Sequence, residues 1–223
     1  MTGFVFYERR REHPLLEVSL FTENLTFAFS NLAAMINYSA TFAVGFLASL
    51  YLQIVMDLDA RAAGWVMLSQ PLLMAMFSPF AGRLSDRVEP RIVASVGMAL
   101  TTLGLFLFVF VTRDIPLPFV VADLSLIGLG FAFFSSPNNN AIMGAVGREK
   151  YGVAASSIAT MRMTGQAVSM STVALIMAWN GGQAALGSNS VPMVLDSIHS
   201  ALIVFTVLSA VGVYFSMKRG SVR

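Results

Sequence analysis

Charged residues divide this chain into long intervals that carry none. Uncharged runs occupy 24–56, 62–82, 92–112, 124–147, 163–195 and 197–217. A helix needs about 20 predominantly apolar residues to cross roughly 30 Å of hydrocarbon. Each run reaches that length, although 163–195 includes a polar, glycine-rich loop. The pattern predicts six membrane helices at about 30–53, 63–82, 92–111, 118–142, 153–178 and 197–217. The sequence lacks the alternating ten-residue segments of a membrane β-barrel. The expected architecture is an all-α polytopic bundle over 30–217, with a cytoplasmic or interfacial lead-in over 1–29 and a cytoplasmic tail over 218–223.

Composition agrees with a lipid-facing chain. Only 12% of the 223 residues are charged and 56% are hydrophobic, against about 25% charged in soluble domains. Mean hydropathy is +0.72. Without cysteine there is no disulfide framework and no thiolate metal site, and two histidines make a transition-metal centre an unlikely design. The H-E-x-x-H, G-x-S-x-G and G-x-x-x-x-G-K patterns are missing, as is any nucleic-acid platform. Neither an enzyme, a cofactor site nor a nucleic-acid partner is expected; the partner is the bilayer.

The basic residues give an orientation. Arg9, Arg10, Arg11, Arg83, Arg87, Arg91, Arg148, Lys150, Lys218, Arg219 and Arg223 fall on one side; only Arg61 and Arg113 fall on the other. Both termini are therefore expected in the cytoplasm of a multi-pass protein of the cell (plasma or inner) membrane. The opening MTGFVFYERRREHPLL lacks signal-peptide order. It reads either as the tail of an earlier helix leaving the bilayer, with 14–27 along the interface, or as a short start with an interfacial anchor.

Polar residues inside the hydrocarbon are costly and mark cavities or tight contacts. In the first helix Asn37, Thr41, Gly45 and Ser49 recur every four residues, a face suited to either role. Gln70-Pro71 and Ser78-Pro79 are expected to bend the second helix, and SSPNNN (135–140) to interrupt the fourth. The fifth helix is the most polar. Its Arg162 lies about 14 Å from the helix start, near mid-bilayer, and shares a face with Gln166 and Ser169. It could serve a cavity as a cation for an anionic group or a buried carboxylate, or be a structural arginine on helix carbonyls. Gly165 and Ser169 form a small-xxx-small pair for close packing. Asp123 is the one carboxylate placed inside a helix, either a proton relay or a group reaching the headgroups. His199 is expected at the outer interface.

Between two apolar stretches, GRLSDRVEPR packs Arg83, Asp86, Arg87, Glu89 and Arg91 into ten positions. This decapeptide resembles the G-x-L-[AS]-D-[RK]-x-G-[RK]-[RK] loop of the major facilitator superfamily. Gly82, Leu84, Ser85, Asp86, Arg87 and Arg91 match; Glu89 and Pro90 depart from the pattern. YERRREHPLLEVSLF, LYLQIVMDLDARAAG (with Asp57 where a glycine is usual), GLGFAFFSSP and the R-x-x-G at Arg162 and Gly165 resemble segments of the fourteen-helix multidrug:proton antiporter branch, in order, from about residue 8 to 217.

The resemblance implies half of a transporter, its carboxyl-terminal half, built as two inverted three-helix repeats around a central site. Its partners would be an amino-terminal half of six or eight helices, a small amphipathic organic substrate and protons, with most of the proton-coupling acid in that other half. Gly82, Arg83, Asp86, Arg87 and Arg91 would form a cytoplasmic latch; Asn37, Thr41, Gln70, Arg162, Gln166 and Ser169 are the cavity candidates. Two rivals stand beside the exporter: an inactive fragment or regulatory pseudo-half, and half of a transporter for another solute, such as an organic anion using Arg162.

Overall fold

The computed structural model describes residues 18–180 and 191–218. The amino-terminal arginines, the 181–190 loop and Arg219 and Arg223 lie outside the described residues, with the expectations placed on them.

Among the described residues the fold is helical, without strands. A short α1 (Val18–Glu23) is separated from α2 (Leu25–Leu50) by Asn24. The Asn24 side-chain oxygen accepts from the Phe27 N–H at 2.9 Å, and its Nδ2 donates to the Ala145 carbonyl at 2.7 Å. This cap starts the first long helix at Leu25, earlier than its apolar pattern indicates. α2 passes into a π-helical turn, Tyr51–Val55. Then come α3 (Ala60–Met67), α4 (Ser69–Arg87), α5 (Pro90–Phe108), α6 (Leu117–Gly144), a 3₁₀ turn at Arg148–Lys150, α7 (Tyr151–Trp179) and α8 (Val191–Lys218).

The bend expected at Gln70-Pro71 is a break, and the interruption expected at SSPNNN is corrected. The second predicted helix is two helices, α3 and α4, broken at Leu68. Pro71 has no N–H to offer the Met67 carbonyl, so the helical ladder lapses where α3 ends. SSPNNN does not interrupt α6, which runs through Pro137 to Gly144. Its asparagines bond to neighbouring helices instead: Asn138 Nδ2 donates to the Ser30 carbonyl at 3.1 Å, and Asn140 Nδ2 to Ser85 Oγ at 2.8 Å. Neighbours of this kind let membrane helices tolerate proline.

Among the described residues four segments are long and apolar enough to cross a membrane: Leu25–Val55, Pro90–Phe108, Leu117–Gly144 and Val191–Lys218. The other two long helices fall short on apolarity. α4 carries Gln70, Arg83 and Asp86, and α7 carries Arg162, Gln166 and a run of hydroxyls.

Packing follows small residues and paired hydroxyls. α6 lies against α4 and α5, α2 against α7 and α8, and α5 meets α8. A Cβ on Gly97 would stand 2.3 Å from the Phe134 nitrogen, and one on Gly128 2.2 Å from the Gln70 carbonyl oxygen. The backbones are thus as close as glycine allows. A Cβ on Gly165 would stand 2.5 Å from the Met35 oxygen, which confirms the close contact read from Gly165 and Ser169. Polar pairs join helices at the same levels: Ser95 with Ser216 at 2.9 Å, Thr102 with Ser209 at 2.8 Å, and Ser157 donating to Asn31 Oδ1 at 2.9 Å. At the far end from Gly82–Arg91, α5 unwinds and its carbonyls are met by side chains. Tyr51 donates to the Thr112 oxygen at 2.7 Å, and His199 Nε2 lies 2.7 Å from the Val111 oxygen. His199, half-buried, thus bonds the segment that follows α5.

Asp57 is the one non-glycine residue with positive φ (55°) among the described residues. It occupies the position where the resemblance has glycine.

Gly97→Ala is expected to lower the thermal midpoint of the purified chain by several degrees, since overpacking costs about 1–3 kcal/mol. Gly45→Ala, which meets open space, is expected to leave it unchanged or raise it; equal effects would refute the packing contrast. Asp57→Gly is expected to stabilise by about 1 kcal/mol, because the left-handed region penalises a Cβ, read as a raised midpoint in the same assay.

Candidate functional site

An open cavity of about 310 Å³ lies among four helices. α2 contributes Tyr38, Thr41 and Phe42, α4 Gln70 and Met74, α6 Phe131 and Ser135, and α7 Arg162 and Gln166. A second hollow of about 620 Å³ adjoins it, reaching Gly45 and Phe46 on α2, Gly64 and Met67 on α3, and Met170 on α7. Thr41, Phe42, Gln70 and Met74 line both.

Each polar group arrives there for a local reason. The Leu68 break sets Gln70 in the first turn of α4, where Gly128 lets α6 approach its backbone. Thr41 donates to the Asn37 carbonyl at 2.8 Å, which holds its side chain against the helix. Arg162 is the twelfth residue of α7 and is exposed on the cavity side, about one turn before the Gly165 contact with α2. Among the described residues no carboxylate lines either hollow. The Tyr38 and Phe131 rings meet edge to face, with centroids 5.5 Å apart.

Of six expected cavity residues, four line it: Thr41, Gln70, Arg162 and Gln166. Asn37 and Ser169 do not. Both are fully buried, and neither Asn37's amide nor Ser169's hydroxyl has a hydrogen-bond partner. Gly45 decides the ambiguous stripe on α2: a Cβ there would meet nothing within 4 Å, so the face opens onto space and not onto a helix. The sequence reading missed the aromatic share of the lining. Tyr38, Phe42 and Phe46 repeat at i, i+4 and i+8 beside Thr41 and Gly45, and that spacing was the available signal.

Asp123 is 3% exposed and faces α5, where a Cβ on Gly104 would lie 3.6 Å from its Oδ1. Neither carboxyl oxygen has a hydrogen-bond partner. It is the only buried carboxylate among the described residues, and it does not reach the cavity or the surface. No group of three or more His, Cys, Asp or Glu that could hold a metal lies together among the described residues.

The decapeptide closes α4 and opens α5, with Pro90 at the first helical turn. Arg83, Asp86 and Arg87 are exposed, and none of Asp86, Arg87, Glu89 and Arg91 is without a partner. Its contact with the rest of the bundle is on α6. A Cβ on Gly82 would lie 3.0 Å from Ser136 Oγ, and the buried Ser85 receives the Asn140 bond. Two segments singled out separately in the sequence, GRLSDRVEPR and SSPNNN, thus meet.

Residues 31–219 match the Major Facilitator Superfamily. The riboflavin transporter RibZ of Clostridioides difficile is 33% identical over 155 residues, covering 70% of this chain and 34% of the relative. The multidrug resistance protein Stp of Mycobacterium tuberculosis is 25% identical over 175 residues, 78% of this chain and 32% of its own length. An uncharacterized MFS-type transporter of Bacillus subtilis, YcnB, is 27% identical over 221 residues, 97% of this chain and 46% of the relative. The chain spans about a third of the length of the first two. A helical bundle with membrane-spanning segments, matched along most of its length, places the chain in the Major Facilitator Superfamily of membrane transporters.

Proposed function

We propose that this chain forms the carboxyl-terminal half of a proton-coupled exporter of amphipathic organic compounds, in the fourteen-helix multidrug:proton antiporter branch. The observation that carries the reading is the cavity: polar and aromatic side chains from α2, α4, α6 and α7 gather on a face that no other described element covers. An amino-terminal half packed across that face would complete it. Relatives named as multidrug resistance and lincomycin resistance proteins favour export of organic compounds.

The packing also supports six spans in two inverted repeats. Take α2, α3–α4 and α5 as one repeat and α6, α7 and α8 as the other. Exchanging them turns the α4–α6 contact into α7–α2 and the α5–α6 contact into α8–α2, while α5–α8 and α2–α6 map onto themselves. All these contacts are present. Three helices per repeat make the two copies run in opposite directions through the membrane. With the basic residues on the Gly82–Arg91 end, both termini are cytoplasmic in the cell membrane.

In this scheme Arg162, Gln70, Gln166 and Thr41 contact substrate, and Gly82–Arg91 latches α4 to α6 in one of the two states. Asp123, buried without a partner, is the proton-holding candidate on this half; burying a lone charge there would be costly.

Expressed with an amino-terminal half in cells lacking their own pumps, the chain is expected to lower accumulation of fluorescent amphipathic dyes of at least one charge type. A protonophore should reverse this. Arg162→Ala should abolish efflux at unchanged membrane level; normal efflux in that variant would remove Arg162 from the site. Absence of efflux for every dye would favour the inactive pseudo-half. Asp86→Asn is expected to slow efflux at least fivefold while dye binding to the purified protein persists; unchanged efflux would refute the latch.

A further inference from the structure

The two hollows are one groove, and its chemistry changes along the bundle. Nearer the Gly82–Arg91 end it presents Arg162, Gln166 and Ser135. Toward the opposite end it presents Phe46, Met67 and Met170. Two helices carry this change: on α2 the lining passes from Tyr38 to Phe46, and on α7 from Arg162 and Gln166 to Met170, each about 12 Å of helix. α6 lines only the first hollow, with Phe131 and Ser135, and α3–α4 sets Gln70 between Met67 and Met74.

The polar end carries one formal charge. Arg162 brings a guanidinium cation, and among the described residues no carboxylate lines the groove beside it. A cationic head would meet like charge there, whereas an acidic head supplies the missing counter-ion and accepts from the guanidinium in a charge-assisted bond. Gln166 and Ser135 add neutral donors beside it. Beyond the shared Thr41 and Gln70, the opposite end offers apolar and soft side chains, and methionines adapt to varied apolar shapes.

We propose that this groove takes an amphipath with an anionic head, a carboxylate or similar acidic group, seated at Arg162 with its apolar body extended toward Phe46, Met67 and Met170. The proposal rests on reading the cavity as the substrate site and adds the charge and direction of the ligand. Arg162 sets the head-group preference; Phe46 and Met170 set the need for an apolar body.

The test is equilibrium binding to the full chain in zwitterionic nanodiscs, corrected for empty discs. Dodecanoate is the probe, dodecyltrimethylammonium the same-tail control and butyrate the same-head control. Dodecanoate is expected to bind saturably and at least tenfold more tightly than either control. Arg162→Gln should abolish the preference for the anion, weakening dodecanoate and leaving dodecyltrimethylammonium no weaker than before, and Arg162→Lys should retain the preference. Arg162 is exposed, so these substitutions spare the core. Phe46→Ser with Met170→Ser should weaken dodecanoate about tenfold and leave butyrate unaffected. Equal binding of the two amphipaths, or a preference that survives Arg162→Gln, overturns the anionic assignment while leaving the cavity reading intact. No saturable binding of either amphipath overturns both.

Discussion

Hydrocarbon offers no hydrogen-bond partner, so helices in it associate by close backbone approach and by bonding polar side chains to one another. In this bundle α6 is where that constraint is met most tightly. Its Gly128 accepts the Gln70 backbone of α4, and its Gly130 faces Thr101 of α5. Held between two neighbours at glycine distance, α6 cannot also close against α7 over the same length. The consequence is a bundle with a sealed side and an open side. On the sealed side hydroxyls pair across helices, as Thr102 does with Ser209. On the open side Thr41, Gln70 and Arg162 face space.

That division explains why the sequence revealed some site residues and hid others. Charge spacing located six long helices because an ion in hydrocarbon is costly wherever it falls. It could not locate the break at Leu68, which depends on one missing N–H, or the continuity of α6 through Pro137, which depends on partners from α2 and α4. The polar stripe on α2 was legible as a stripe only. Successive residues turn by about 100° on a helix, so positions four apart drift by about 40° at each step. The α2 lining runs around the helix from Thr41 at one edge to Phe46 at the other, so Asn37 falls past the Thr41 edge and is buried. On α7 the same geometry sets Ser169 on the Gly165 side, against α2, while Arg162 and Gln166 look outward.

The family's relatives include transporters named for riboflavin, for lincomycin resistance and for multidrug resistance. A shared fold with different named substrates puts specificity in the lining, not in the scaffold. The scaffold explains Gly97, Gly128 and Gly130; it has no need of Arg162, which makes no contact that holds the bundle together. A cation exposed at mid-helix is costly to keep in a membrane, and the cavity is the feature of this fold that gives it a place in water or beside a ligand.

The cavity and the charged loop are also physically one object. Ser135 lines the groove, and its neighbour Ser136 abuts Gly82. One turn further, Asn140 bonds Ser85 inside the decapeptide. A helix does not lengthen or bend freely between adjacent residues, so any displacement of α6 at the groove displaces the surface on which the loop rests. Pro137 lies between these contacts and leaves the Phe133 carbonyl without its helical bond. The cavity wall and the loop contact thus fall within six consecutive residues of one helix.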